Sequence, residues 1–224
     1  MKITILTLFP EMFQGPFSYS IIKRAQQKKL IKIDLVNIRD FGIGRHKIVD
    51  DRPYGGGVGM VLRVDVIDKA ITNVKCQMSN VKCREQIILT DPRGKTFTQD
   101  RAGELSKLDH LILIAGHYEG VDERVKEHLV DETLSIGNYV LTGGEIPAMV
   151  VVDTVSRLIS GVLTKPEATL YESFSHPSTN LEHPQYTRPN IYEGWRVPKI
   201  LISGNHKEIT SWRSKKTLVK RVSS

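Results

Sequence analysis

Leu111-Ile112-Leu113-Ile114-Ala115-Gly116-His117-Tyr118-Glu119-Gly120-Val121-Asp122-Glu123-Arg124 decides the fold class. The apolar run that closes on a glycine reads as a buried strand, Leu111–Gly116. A polar turn bounded by glycines follows. A helix over Asp122–His128 then follows. The same grammar extends outward. Upstream, Glu85–Thr90 reads as a strand and Thr98–Leu108 as a helix. Downstream, Thr133–Leu141 reads as a strand and Glu145–Ile159 as a longer apolar helix. Nearer the start, Ile3–Phe9 and Ile31–Ile38 read as strands. Ser20–Leu30 lies between them as a helix with Ile21, Ile22, Ala25 and Leu30 on one side, and Val64–Val74 adds another helix. Strands separated by helices predict an α/β fold with a parallel sheet covered on both faces.

In such sheets ligands sit in loops at the carboxyl ends of the strands. Three glycine-bearing loops fall there: Thr90-Asp91-Pro92-Arg93-Gly94, Gly116-His117-Tyr118-Glu119-Gly120 and Thr142-Gly143-Gly144-Glu145. Any one of them reads as an ordinary turn. Three at successive strand ends mark a ligand cleft, because glycine lets backbone approach a ligand closely.

The chain has 224 residues, of which 40% are hydrophobic, enough for a large core and a small appendage. Its net charge of +7 is unevenly spread: residues 1–164 carry 22 Lys+Arg against 20 Asp+Glu, and residues 165–224 carry 10 against 5. A basic segment draws polyanions, although a solvated basic surface has the same composition. The two cysteines, Cys76 and Cys83, match neither a zinc pattern nor a disulfide framework. Pro10 and Glu11 cut the apolar start short of a leader sequence, so it reads as the first strand. No run approaches the ~20 apolar residues of a membrane span. A soluble, cytoplasmic protein with no membrane partner is expected.

Residues 161–204 read as mostly irregular, with Pro166, Pro177, Pro184, Pro189 and Pro198. A long loop of this kind is a linker, a lid or a binding segment. A last helix follows, capped by Asn205 with Glu208 three residues on. Ile209, Trp212 and Val219 form its expected buried stripe. Lys216 and Lys220, four apart, share a face with Arg213 beside them.

Several motifs are excluded. Gly55-Gly56-Gly57 has no Gly-Lys-Ser/Thr after it, so it is not a P-loop. From Gly57-Val58-Gly59 the third glycine position of a dinucleotide fingerprint is Leu62. No G-x-S-x-G elbow and no H-E-x-x-H pair is present. His46, Asp50 and Asp51 read as solvated loop residues rather than metal ligands, so no metal site is assigned.

Four blocks carry a family resemblance: His46 to Met60, with Asp50-Asp51-Arg52-Pro53-Tyr54-Gly55-Gly56-Gly57 inside it; Gly116 to Arg124; Ser135-Ile136-Gly137-Asn138-Tyr139-Val140-Leu141-Thr142-Gly143-Gly144-Glu145 on to Pro147-Ala148; and Tyr186-Thr187-Arg188-Pro189, with Ser203-Gly204-Asn205-His206 and Trp212-Arg213 beyond it. In this order and at this spacing the chain resembles the TrmD family of bacterial tRNA (guanine-N1)-methyltransferases. The resemblance runs from Leu8-Phe9-Pro10-Glu11 to Trp212-Arg213.

The resemblance implies a SPOUT-type sheet with a deep trefoil knot, which patterning alone would never propose. It implies a SPOUT domain over residues 1–160 with the knot at about 85–147, a linker over 161–178 and a C-terminal helical tRNA-binding domain over 179–224. It implies S-adenosyl-L-methionine as methyl donor, held by Pro92, Gly116, Tyr118, Glu119, Ile136, Gly137, Asn138, Tyr139, Val140, Leu141, Gly143, Gly144 and Pro147. It implies an obligate homodimer whose active sites take residues from both chains. The target is N1 of the guanosine at position 37 of tRNA, 3′ of the anticodon. The implied proton acceptor is Glu172 and the implied cation Arg157. His46, Asp50, Tyr54, Gly55, Gly59, Arg188, Lys207, Arg213, Lys216 and Lys220 become RNA-contact candidates. The family also raises Mg2+, for which the sequence shows no ligand set.

The sequence departs from the family pattern at three places. Glu172 stands where most members have Asp, His117 where many have Arg, and Asn138 where many have Asp. Two other readings stay open: a SPOUT methyltransferase for another RNA base, and a catalytically impaired RNA-binding homologue. On the leading reading, a Lys216→Ala/Lys220→Ala variant weakens tRNA binding. The slope of log K against log salt becomes shallower by about 0.7 for each phosphate no longer neutralised. Filter binding across a salt series checks this, and an unchanged slope removes the basic helix from the interface.

Overall fold

The computed structural model describes residues 1–76, 84–169, 172–175 and 181–217. It divides into two compact units, Met1–Thr164 and Lys165–Ser224. In the first unit the order is β1 (Lys2–Thr7), a 3-10 turn over Pro10–Phe13, the one-turn α1 (Gln14–Phe17), α2 (Ser20–Gln27) and β2 (Lys32–Asn37). Next come the two-residue strands β3 (Asp50–Asp51) and β4 (Val61–Leu62), then α3 (Val64–Cys76), β5 (Glu85–Thr96), α4 (Gln99–Leu105) and β6 (His110–Ala115). The unit closes with α5 (Glu123–His128), β7 (Glu132–Ser135) and α6 (Glu145–Leu158).

β1, β2, β5, β6 and β7 form one sheet in the order β2-β1-β6-β5-β7, and every pairing in it is parallel. The expected parallel α/β sheet is therefore present. Central β6 is buried at all six positions. Its residues alternate between two cores: Leu111 and Leu113 pack with Ile3, Ile5 and the apolar faces of α2, α4 and α6, while Ile112 and Ile114 pack with Leu6, Leu89 and the face of α3. Each fully buried Ile or Leu contributes about 1.5–3 kcal/mol, against ~0–1 kcal/mol for an exposed ion pair, so the two cores dominate stability. No helix among the described residues is long and apolar enough to cross a membrane.

Two local expectations are corrected, and both corrections shape the site. The strand expected over Thr133–Leu141 stops at Ser135. Ser135 Oγ donates to Gly137 O (3.1 Å) and accepts from Gly137 N (3.3 Å), which turns the chain out of the ladder. Tyr139 OH donates to Ile136 O at 3.1 Å and holds the turn. The segment Asp91–Gly94, expected as a loop beyond a strand end, is instead an outward bulge within β5. Thr90 and Lys95 both pair with Leu134, and pairing continues at Thr96 with Ser135. Pro92 has no N–H to give the ladder. Asp91 Oδ1 accepts from Arg93 N at 2.7 Å and so closes the bulge into a turn.

The second unit holds a 3-10 turn over Pro166–Thr169, the antiparallel pair β8 (Ile191–Tyr192) and β9 (Trp195–Arg196), a 3-10 turn over Lys199–Ile202 and α7 (His206–Lys216). The hairpin falls in a stretch expected to be irregular. Its turn, Glu193-Gly194, has positive φ at both residues, as a two-residue hairpin requires. Asn205 caps α7 as expected, with its Oδ1 accepting from Glu208 N at 3.3 Å. The buried stripe does not form: α7 has no fully buried residue, and Ile209 and Trp212 are half-buried. Val219 and Lys220 lie outside the described residues.

At the amino ends of the strands sits one buried polar cluster. His110 is fully buried. Its Nδ1 lies 2.6 Å from Glu85 Oε2 and its Nε2 lies 2.9 Å from Thr4 Oγ1. Burial pushes the imidazole below its ordinary value, and this outweighs the upward pull of Glu85. The unfolded chain therefore binds this proton more readily than the fold does. The associated stability is present above the ordinary histidine pKa of 6.5 and is lost as pH falls below it. Thermal melting between about pH 7.5 and pH 5 should show Tm falling on acidification, with a flatter profile in a His110→Gln variant. Equal slopes in the two proteins would show that His110 does not titrate on unfolding.

Candidate active site

The two corrected segments converge with the turn after β6 on one cleft of about 410 Å³ at the carboxyl ends of the sheet. That size suits a small molecule rather than a single ion. The walls are the bulge Asp91–Arg93, the turn Gly116–Val121 and the loop Ile136–Gly144, with Pro147 of α6 beneath. Backbone bonds sew the walls together. Gly144 N donates to Gly116 O at 2.6 Å, and His117 bridges Gly143 across the same seam. Thr90 Oγ1 donates to Ile114 O at 3.1 Å, which ties the bulge to the neighbouring strand.

Glycine is required where these walls meet. A Cβ on Gly144 would lie 2.3 Å from Thr90 Oγ1 and 2.6 Å from Gly116 N, and one on Gly143 would lie 2.4 Å from Glu145 Oε2. No side chain fits there without parting the seam. A second close approach joins the His46–Met60 loop to the cleft. Glu119 N donates to Met60 O and Leu62 N to Gly120 O, both at 3.0 Å. A Cβ on Gly59 would lie 2.4 Å from Glu119 Cγ.

The cleft mixes apolar walls with a few charges. Burial pushes the Asp91 carboxyl up, but hydrogen bonds from Arg93 and its charge outweigh burial and hold it below its ordinary value. Arg93 also pairs with Glu123 at 3.1 Å and is raised above its ordinary value, first by its hydrogen bond to Asp91. Arg93 is 60% exposed, so the pairing orients the bulge more than it stabilises the fold.

Of the thirteen residues expected to hold the donor, Pro92, Gly116, Tyr118, Glu119, Ile136, Gly137, Tyr139, Val140, Leu141, Gly143, Gly144 and Pro147 line this cleft. Asn138 does not: it is exposed in its turn and is not part of the lining. Asp91, Arg93, His117 and Thr142 lie in the loops expected to form the cleft and also line it, although they were not among the expected donor contacts. Asp91 and Arg93 carry a readable signal, since a carboxylate and a guanidinium flank a proline. The buried Glu145 and its partner Thr7 were also missed, because a helix-start glutamate is ordinarily solvated.

Among the RNA-contact candidates, Gly59 abuts Glu119, and Asp50 pairs with Leu62 across the β3–β4 ladder. His46, Tyr54 and Gly55 are exposed; Tyr54 is 99% so. In the second unit, Arg188 and Arg213 line a concavity of about 520 Å³ together with His183, Tyr186 and His206. Trp212 sits edge-on to His183 and Tyr186 at 6.4 and 6.3 Å. Lys207 and Lys216 are exposed on α7, and Lys220 lies outside the described residues. Arg157 is half-buried in the last turn of α6, and Glu172 is half-buried at the start of a turn whose Ser175 N donates to Glu172 O at 3.1 Å. The first belongs to the Met1–Thr164 unit and the second to the Lys165–Ser224 unit.

A parallel α/β sheet that gathers three turns around one small-molecule cleft defines a ligand-binding protein of the strand-end type. The family described as tRNA (Guanine-1)-methyltransferase TrmD matches residues 1–223, and the chain belongs to that family. The chain is 52% identical over 219 residues to the tRNA (guanine-N(1)-)-methyltransferase of Carboxydothermus hydrogenoformans, covering 98% of this chain and 83% of the relative. It is 52% identical over 218 residues to that of Alkaliphilus metalliredigens, covering 97% and 87%. It is 51% identical over 218 residues to that of Dehalococcoides mccartyi, covering 97% and 86%.

The seam makes a test. Gly144→Ala should destabilise the protein by about 1–3 kcal/mol through overpacking. Gly103→Ala, in α4 with nothing within 4 Å of the new Cβ, should stabilise it by about 0.5–1 kcal/mol. Chemical denaturation of both variants reads the contrast, and a Gly144→Ala protein as stable as its parent would mean that the walls do not touch.

Proposed function

We propose that this chain transfers a methyl group from S-adenosyl-L-methionine to N1 of the guanine at position 37 of tRNA. The observation that carries the reading is the meeting of twelve expected donor residues around one cleft in a member of this family. The donor supplies an electrophilic methyl group on a sulfonium, with a neutral thioether as leaving group. What remains for the protein is alignment, proton removal and charge stabilisation.

Guanine N1 carries a proton at neutral pH and is a poor nucleophile. Glu172 accepts that proton as general base, and its extra methylene relative to Asp is taken up by the turn that presents it. Arg157 donates to guanine O6 and stabilises the negative charge that builds there. Extruding the base from its stack brings N1 within reach. The exposed Tyr54 and the glycines around it are suited to stacking and close approach. Lys207, Arg213 and Lys216 contact phosphates, which position the RNA without reading it.

The finer architecture belongs to the same reading. Residues from about 85 to 147 form the trefoil knot of the SPOUT group, and the tRNA-binding domain of residues 179–224 is joined to it through the linker 161–178. A homodimer completes each site: Tyr139, Val140, Ile146 and Val150 are exposed apolar side chains beside the cleft, and a second copy would cover them. The protein works in the cytoplasm, where tRNA is modified. Among the described residues no three His, Cys, Asp or Glu side chains converge to hold a metal ion.

Purified protein should transfer labelled methyl groups to tRNA, and mapping should place the label on N1 of guanosine 37. Label on another base would favour a different RNA target. Arg157→Ala and Glu172→Ala should each lower turnover by about 10²–10⁴-fold while donor affinity survives. Loss of donor binding in either variant would contradict the roles given to them.

A further inference from the structure

Glu145 is a charged side chain shut inside the first unit, 2% exposed at the start of α6. Its environment is built rather than incidental. Thr7, fully buried at the end of β1, accepts from Phe9 N at 3.0 Å. That bond leaves the Thr7 hydroxyl hydrogen to be donated to Glu145 Oε1 at 2.9 Å. The other oxygen, Oε2, faces His117 Nδ1 at 3.7 Å. This is an ion-pair distance, longer than a hydrogen bond. His117 Nδ1 is itself buried and has no hydrogen-bond partner. The ring is held edge-on by Phe9 at 4.9 Å and Tyr118 at 5.0 Å, and the backbone of Gly143 lies against both polar groups.

A buried nitrogen with no partner and a buried carboxylate oxygen aimed at it describe one unfinished hydrogen bond. A shift of under ~1 Å closes it to ordinary length. A carboxylate only accepts, so the bond requires the hydrogen on Nδ1. The hydrogen cannot then be on Nε2 in the neutral ring. His117 lines the cleft and its side chain is 22% exposed while Nδ1 is buried, so the exposure falls on the rest of the ring, which carries Nε2. We infer that Glu145, clamped by Thr7, is a positioning residue: it sets the tautomer of His117 so that Nε2 presents a hydrogen-bond acceptor to the donor's N–H or O–H groups. The acceptor role rests on the proposal that the cleft holds S-adenosylmethionine, whose amino and hydroxyl groups supply such hydrogens.

Glu145→Gln tests the inference with little change of volume. The amide oxygen still accepts from Thr7, but its N–H2 now faces His117 Nδ1 and demands the opposite tautomer. Two-bond nitrogen–proton NMR of donor-free protein reads this directly. The expected result is Nδ1–H in the parent and Nε2–H in Glu145→Gln; the same tautomer in both overturns the inference. Calorimetric titration with S-adenosylmethionine then reads the consequence. Affinity should fall about tenfold in Glu145→Gln, as for a lost hydrogen bond. In steady-state assays the donor KM should rise more than kcat falls, and equal affinity in the two proteins overturns the acceptor role. His117→Asn, whose amide reaches the Nδ1 position but has no Nε2, should lose affinity similarly while keeping the parent's Tm. A parent protein that binds no S-adenosylmethionine would defeat the proposed function alone, since the tautomer comparison is made without donor.

Discussion

Two glycine backbones touching at the carboxyl end of the sheet hold the site together. Gly144 N reaches Gly116 O at 2.6 Å, with Thr90 Oγ1 packed against the same point. That contact brings the turn after β6 onto the start of α6, and between them they form two walls of the cleft. A side chain on Gly144 would stand where Thr90 Oγ1 and the Gly116 backbone now stand, so that position is restricted to a residue without a Cβ. Everything attached to the seam inherits its position: Tyr118 and Glu119 on one side, Leu141 and Pro147 on the other.

The same turn is coupled outward. Residues Met60 to Leu62 hydrogen-bond to Glu119, Gly120 and Asp122 through backbone alone. The His46–Met60 loop is thus tied to the cleft without a side-chain contact being needed. An exposed aromatic at Tyr54 and a sewn-down base at Met60 make a loop that is free at its tip and fixed at its root.

Buried polar groups mark both ends of the sheet, and they are handled differently. At the amino ends His110 finds partners for both ring nitrogens in Glu85 and Thr4. At the carboxyl ends His117 leaves Nδ1 unmatched within ion-pair distance of a buried carboxylate. A satisfied cluster rigidifies a core, whereas an unsatisfied one costs free energy that only a functional rearrangement recovers. The contrast between two histidines on one sheet is what singles out the second.

Much was legible in the residues alone. The alternation of apolar strands and capped helices determined a parallel α/β sheet, and the glycine-bearing turns at successive strand ends determined where the cleft is. Local chemistry suffices for this: periodicity, side-chain caps and missing Cβ atoms act within a few residues. The Asn205 cap of α7 formed as read, because its partner is three residues away. Tertiary structure alone decided the rest. The strand through Ile136–Leu141 was cut short by a serine turn, and Asp91–Gly94 became a bulge rather than a strand end. Glu145, which reads as a solvated helix start, was buried against Thr7 from 138 residues away. The α7 stripe stayed half-buried despite its spacing. These outcomes depend on which distant surface covers a side chain, and burial is a property of the packed chain that no window of sequence contains.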